Sequence, residues 1–158
     1  MKYESLLRKH ESQTFKAFYE ESIIEYAAEH VKCGGWEKDG SIERARTEFE
    51  NILPEGLNTS NQYLLSVIYN NVDIGYLWLH IFNVKEQKKC FIYDIKIKDT
   101  YRGQGLGTKT MECIEEYCKN KRVESIALHV FGHNKRAVSF YNKMGFETTN
   151  YRMEKKLK

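Results

Sequence analysis

An α/β fold, in its α+β form with helices packed on a central mixed sheet, is predicted by three features of this 158-residue sequence. Its apolar period is helical over two early stretches, strand-like through the middle, and alternates between the two afterwards. Three glycines, Gly103, Gly105 and Gly107, separate a strand-like run from a helix-like one. The length and the 41% apolar content suit one domain with a sizeable core. No linker or internal repeat divides it, so residues 1–158 read as a single domain.

The elements follow in order. "YESLL", residues 3–7, is expected as a first strand. From Thr14 to Val31 the stripe Phe15, Phe18, Tyr19, Ser22, Ile23, Tyr26, Ala27 and His30 predicts a helix. "CGGWEKDG" breaks it. A second helix is expected from Ser41, a good N-cap, to Leu53, with Ile42, Ala45, Phe49 and Ile52 or Leu53 inward. "QYLLSVIYN" and "IGYLWLHIF" are rich in β-branched and aromatic residues, and "NNVD" between them has turn chemistry, so they form an antiparallel hairpin. In "KCFIYDIKIKD", Phe91, Tyr93, Ile95 and Ile97 alternate with Ile92, Asp94, Lys96 and Lys98, which predicts a strand with these sets on opposite faces. After the glycines a helix is expected over Thr108 to Asn120, with Met111, Ile114 and Cys118 inward. "ESIALHVF" is the next strand. "NKRAVSFYNKM" is a short helix capped by Asn134 and ended by Gly145. "FETTNYRMEKKL" closes the chain as a strand or hairpin.

Composition excludes several classes. A net charge of +3, with lysines scattered over both halves, is too weak for nucleic-acid binding. No apolar stretch is long enough to span a bilayer. The opening "MKYESLLRKHESQ" lacks the apolar centre of a signal peptide. Cys33, Cys90, Cys113 and Cys118 form no C-x-x-C pair and fit no common zinc spacing, so no metal is expected and they read as reduced thiols in a cytoplasmic protein.

The glycine segment "YRGQGLGTKT" carries the chemistry. It joins a strand end to a helix start, where unpaired N–H groups and the helix dipole favour anions. Alternate glycines remove Cβ atoms and let several N–H groups converge on phosphate oxygens. Arg102, with Lys109 beside it, would add positive charge. A simple strand-to-helix turn needs one glycine; three beside an arginine point to a polyphosphate. The Walker A pattern fails, because Thr108 intervenes between Gly107 and Lys109. The dinucleotide fingerprint fails too, because Thr108 stands where a third glycine is needed.

The remaining pattern, [RQ]-x-x-G-x-[GA], is met by Arg102, Gly105 and Gly107. With "NKRAVSFYNKMGF", which supplies Asn134, Ala137, Tyr141, Gly145 and Phe146 at the spacing N-x-x-A-x-x-x-Y-x-x-x-G-F, the sequence resembles the GNAT superfamily of acetyl-CoA-dependent N-acetyltransferases. The matching motifs span roughly residues 88–150; the N-terminal half matches by element order. The resemblance implies a GNAT-like fold with a V-shaped splay between the strand at 89–98 and the strand at 124–131. It implies acetyl-CoA as co-substrate, with its diphosphate on the N–H groups of Gly103, Gln104, Gly105, Leu106, Gly107 and Thr108 beside Arg102. The pantetheine arm would run along Ile95, Lys96 and Ile97, with Asn134 and Tyr141 also touching the cofactor.

The implied activity is direct transfer of acetyl to a primary amine of a small molecule or peptide through a tetrahedral intermediate. A backbone N–H near Ile95 would stabilise the oxyanion. Tyr141 resembles the family's acid for the leaving thiolate, although it would also serve as a core aromatic. Asp94 is the candidate base, with structural ion pairing as its alternative role; His129 and His133 are rivals. On the acceptor side, Trp36 reads equally as a wall of the amine's path or as a surface anchor. Glu37 would attract a cation. Trp78 is a candidate contact whose other reading is core packing, and His80 and Tyr76 lie on the same hairpin. Glu25 and Glu29 suit a cation or merely a solvated face. A non-catalytic acetyl-CoA sensor or interaction module is the alternative function, and monomer and homodimer are both open.

Overall fold

The computed structural model describes residues 6–158. Its elements are β1 (Leu7–Lys9), α1 (Ser12–Lys32), α2 (Ser41–Ile52), β2 (Gln62–Tyr69), β3 (Val72–Val84), β4 (Gln87–Ile97), α3 (Leu106–Asn120), β5 (Ser125–Leu128) and α4 (Lys135–Lys143). The strands form one sheet in the order β1-β2-β3-β4-β5. All neighbours are antiparallel except β4 and β5, which are parallel. Most of the first strand expected at 3–7 falls outside the described residues; β1 begins at Leu7.

Both faces of the sheet are covered, which is why its strands read as near-continuous apolar runs. On one face Phe18, Ile23 and Ala27 of α1 and Ala45 and Phe49 of α2 pack on Leu64 and Trp78. On the other, Met111, Ile114 and Cys118 of α3 pack on Leu77, Leu79, Ile81, Cys90 and Ile92. The β2–β3 hairpin turns through Asn70 and Asn71, both at positive φ. A two-residue turn of that hand matches strand twist, and asparagine tolerates it well. Gly75 of β3 is required by close approach: a Cβ there would lie 2.1 Å from the Lys96 carbonyl oxygen.

Several expectations are corrected. Gly40, at φ 76°, occupies the N-cap of α2, and Ser41 is its first residue, its hydroxyl donating instead to the Lys38 carbonyl at 2.8 Å. Ile42 is 46% exposed, because the inward stripe of α2 runs through Ser41, Ala45 and Phe49. The strand expected at 124–131 pairs only over Ser125–Leu128. Residues 146–158 form no regular strand or hairpin.

The largest correction is in β4. Trp78 pairs with Asp94 but Leu79 pairs with Ile92, so Tyr93 is an extra residue, a β-bulge. Strict alternation therefore breaks there. Cys90 and Ile92 before the bulge, and Ile95 after it, face α3 together. Asp94 and Lys96 face α1, where Ser22, Glu21 and Glu25 receive them.

Candidate active site

The parallel ladder between β4 and β5 ends at the pair Ile92–Leu128. Beyond it the two segments diverge, and the space between them is an open cleft of 160 Å³. One wall is Ile92 to Ile95 of β4; the other is Leu128 to Phe131, with Asn134, Ala137 and Tyr141 of the following helix. Glu29 of α1 closes a further side. The cleft thus gathers residues that lie far apart in sequence, because a strand that loses its partner leaves one edge of backbone unpaired.

Asp94 and Tyr141 meet here. Ser22 donates its hydroxyl to Asp94 Oδ2 at 3.2 Å. Burial, with Glu25 adding repulsion, raises the Asp94 carboxyl to about 6, against the pull of Ser22 and Lys96 toward lower values. Burial, with Asp94 adding repulsion, pushes the Tyr141 phenol up to about 12. At neutral pH the pair therefore consists of an ionised carboxylate poised near its titration point and a protonated phenol. That is a proton acceptor and a proton donor in one cleft.

Tyr141 is placed by α4, which starts where the Asn134 side chain accepts from the Ala137 N–H at 3.3 Å. It ends at Gly145, whose φ of 93° suits glycine. Asn134 consequently serves both as cap and as cleft lining.

Below the cleft, β4 leads into the glycine loop. Gly103 and Gly105 lie at φ 78° and 75°, and an added Cβ at either would meet nothing within 4 Å. Gly105 is the N-cap of α3, with no side chain capping it. Among the described residues, the N–H groups of 103–108 find no backbone acceptor. The result is a concave row of free amides at a helix N-terminus. Arg102 is held in place by Asp99 Oδ1 at 2.9 Å and by the Ile97 carbonyl at 3.1 Å. Lys109 instead sits 5.8 Å from the Tyr69 ring. Leu106 contributes only backbone to the loop, its side chain being buried beside Val67 and Ile74. Lys96 likewise turns its side chain away, onto Glu21 at 2.8 Å and onto Glu25.

The acceptor-side expectations fare differently. Trp78 is 2% exposed; it packs in the α1–α2 core and donates its Nε1–H to Gln62 Oε1 at 2.7 Å, so it does not line the cleft. Its mark on the site is indirect, through the Tyr93 ring 4.7 Å away. Trp36 is buried too, stacked on His30 at 4.2 Å with the Arg44 guanidinium 4.4 Å from its ring. Glu37 is exposed and lies apart from the cleft. Sequence reading assigned Glu29 no more than a general attraction for cations, yet it lines the cleft, with His133 Nε2 at 2.6 Å from its Oε2. This pair joins α1 to the loop before α4 across 104 residues, a separation at which no local pattern signals contact. His129 also lines the cleft.

Among the described residues, no helix is long and apolar enough to cross a membrane. No group of three or more His, Cys, Asp or Glu side chains among them is placed to hold a metal ion.

Comparison with known proteins agrees with this fold. Residues 16–146 match the model of the Acetyltransferase (GNAT) family. YdgE of Bacillus subtilis (strain 168), an uncharacterized N-acetyltransferase, is 34% identical over 146 residues, covering 92% of this chain and 93% of that one. YycN of the same organism, also an uncharacterized N-acetyltransferase, is 31% identical over 153 residues, 96% of this chain and 98% of the other. The crystal structure of YycN superposes with a TM-score of 0.93 over 96% of this chain and 98% of its own.

Proposed function

Because the chain belongs to the GNAT family of acetyltransferases, we propose that it moves an acetyl group from acetyl-CoA to a primary amine. Acetyl transfer follows from the family; the donor, the acceptor class and the residue roles are our reading. The observation that carries it is the meeting of Asp94 and Tyr141 in the cleft where β4 and β5 part, above a row of free amides. The single-domain and cytoplasmic readings belong to the same proposal.

The loop fits a CoA diphosphate on physical grounds. Its amides at 103–108 lack partners, and the space a Cβ would occupy at Gly103 and Gly105 is open to a ligand. When bound, acetyl-CoA supplies an acyl group activated as a thioester. Gly103, Gln104, Gly105, Leu106, Gly107 and Thr108 would hold the diphosphate through their N–H groups, with Arg102 adding charge. The edge of β4 from Ile95 to Ile97, left free by β5, would hold the pantetheine arm. Asn134 borders the same channel.

The chain's own groups then handle protons. A lysine-like amine has a pKa of about 10.4 and must lose a proton before it can attack. Asp94 accepts that proton at its carboxylate, directly or through water, while Ser22 keeps the carboxylate oriented. Tyr141 holds its phenolic proton for the departing sulfur. The bulge at Tyr93 interrupts the ladder beside Asp94 and so frees backbone near Ile95 to face developing negative charge. Glu29 and Asp94 make the cleft acidic, which suits an acceptor that arrives as a cation.

The test is CoA release from acetyl-CoA with a panel of amines, from polyamines through aminoglycosides to peptide N-termini, with acetyl-CoA and ATP binding measured by calorimetry. Turnover with at least one amine is expected, with acetyl-CoA bound in preference to ATP. Tight acetyl-CoA binding with no turnover on any amine would instead identify a sensor.

A further inference from the structure

The C-terminal third of the fold is covered on one side only. Neither β5 nor α4 has a fully buried residue. Ile126, Leu128, Phe140 and Met144 reach the core but stay partly exposed. β5 is also the last strand of the sheet, and only its β4 edge is paired. The other edge presents backbone groups with no ladder, which is a template for another strand.

The chain also carries a strand-like segment that pairs with no strand of its own sheet among the described residues. Residues 147–158 alternate: Tyr151, Met153 and Leu157 fall on one side, Arg152, Glu154 and Lys156 on the other. The apolar three are 76%, 84% and 86% exposed. Phe146 is tied back to α4 by its N–H on the Tyr141 carbonyl at 3.0 Å, but no backbone group after it bonds to β5 of its own chain among the described residues.

We propose that residues 147–158 are exchanged between two copies of this chain, each segment adding a strand to the free edge of the other's β5. An unpaired edge and an unpaired alternating segment are complementary, and reciprocal exchange closes as a symmetric dimer. Tyr151, Met153 and Leu157 then cover the open side of Ile126 and Leu128. The layer that carries Tyr141 gains its missing support from the second copy. This goes beyond the acetyltransferase reading and does not depend on it.

The test uses the full chain with Cys33→Ser, since Cys33 is the exposed thiol. Ala127→Cys, on the exposed face of β5, is combined with Arg152→Cys and, separately, with Glu154→Cys. Light scattering of the parent chain is expected to give twice 18.7 kDa. Oxidation of at least one double variant is expected to give a covalent dimer on a non-reducing gel. Met153→Asp is expected to lower the dimer fraction at least tenfold at the same concentration. A monomeric parent chain overturns the proposal. So does a dimeric chain in which the cysteines join only within one chain, or join in neither variant, since both outcomes mean the segment is not exchanged.

Discussion

The two edges of β4 are built oppositely. Along β3 the ladder runs from Val84–Gln87 to Gly75–Ile97, broken only by the bulge at Tyr93. Along β5 it covers Lys89 to Ile92 and stops. The closed edge holds the strand rigid, and the open edge leaves the same strand's backbone available. The cleft is therefore made by withholding a partner strand, and the cost in unpaired backbone falls where the proposed ligand would offset it. Under the proposed function, binding falls on the open edge and stability on the closed one, so substitutions should separate them.

The largest effect is expected from Gly105→Glu, at the end of the open edge. A Cβ there meets no protein atom within 4 Å. The positive φ adds about 1–2 kcal/mol of strain, and the new carboxylate would face the proposed CoA diphosphate. Calorimetry should show acetyl-CoA binding weakened by more than about 100-fold, because juxtaposed like charges cost several kcal/mol. Near-normal affinity would mean the open edge does not lead to the binding loop.

Tyr141→Phe comes next. It leaves the packing against Phe140 and Phe146 in place and removes only the phenolic proton. Steady-state kinetics should show kcat lower by roughly 100-fold, the lower end of a general acid's contribution, with KM for acetyl-CoA changed little. An unchanged kcat removes the acid role.

Gly75→Ala tests the closed edge. Its Cβ would stand 2.1 Å from the Lys96 carbonyl oxygen, so β3 or β4 must shift. Urea unfolding should show a loss of about 1–3 kcal/mol, the usual range for overpacking, while the folded fraction still binds acetyl-CoA. If binding falls without a loss of stability, the two edges are not separable.

The most pH-dependent change, vanishing below pH 4, is expected from Asp94→Asn. The carboxyl titrates at about 6 in the fold against 3.8 in the unfolded chain. The folded state therefore holds a proton that the unfolded state has released, and wild-type stability falls as pH rises from about 4 to 6. The asparagine variant lacks that fall. It should match wild type below pH 4 and exceed it above pH 6 by up to about 3 kcal/mol. Wild-type kcat/KM should climb around pH 6, where the folded-state carboxyl titrates, and the variant's should not. A constant activity ratio across pH would take the base role from Asp94.

Much of this arrangement was legible in sequence, for reasons that can be assigned. Met111, Ile114 and Cys118 announce the buried face of α3 because helical spacing alone selects them. Asn134 announces a helix start because it has the local chemistry of a cap, whereas α3 begins at Leu106, two residues before the expected Thr108, because Gly105 rather than a side-chain cap opens it. The bulge was not legible, since it is decided by how Trp78 and Leu79 pair across the sheet and leaves no local signature. Ile42 was misplaced, and Trp78 was left between core packing and an acceptor contact, because an aliphatic or aromatic residue can satisfy either a core or a surface position, and only packing decides. The Glu29–His133 pair was invisible at its separation. The segment 147–158 shows a strand's alternation, but a pattern specifies a face and not the strand it will lie beside.

The bulge has one more consequence. Strands count in twos, and Tyr93 is the odd residue that resets the count. Straighten the bulge with Tyr93 kept in the ladder, and everything downstream in β4 turns over: Asp94 would point into the greasy layer under α3, and Ile95 toward the acids of α1. A deletion of Tyr93 alone would leave these facings as they are, so alignment gaps in this strand should fall at the bulge or in the hairpin at Lys85–Glu86, and not elsewhere between Ile92 and Ile97.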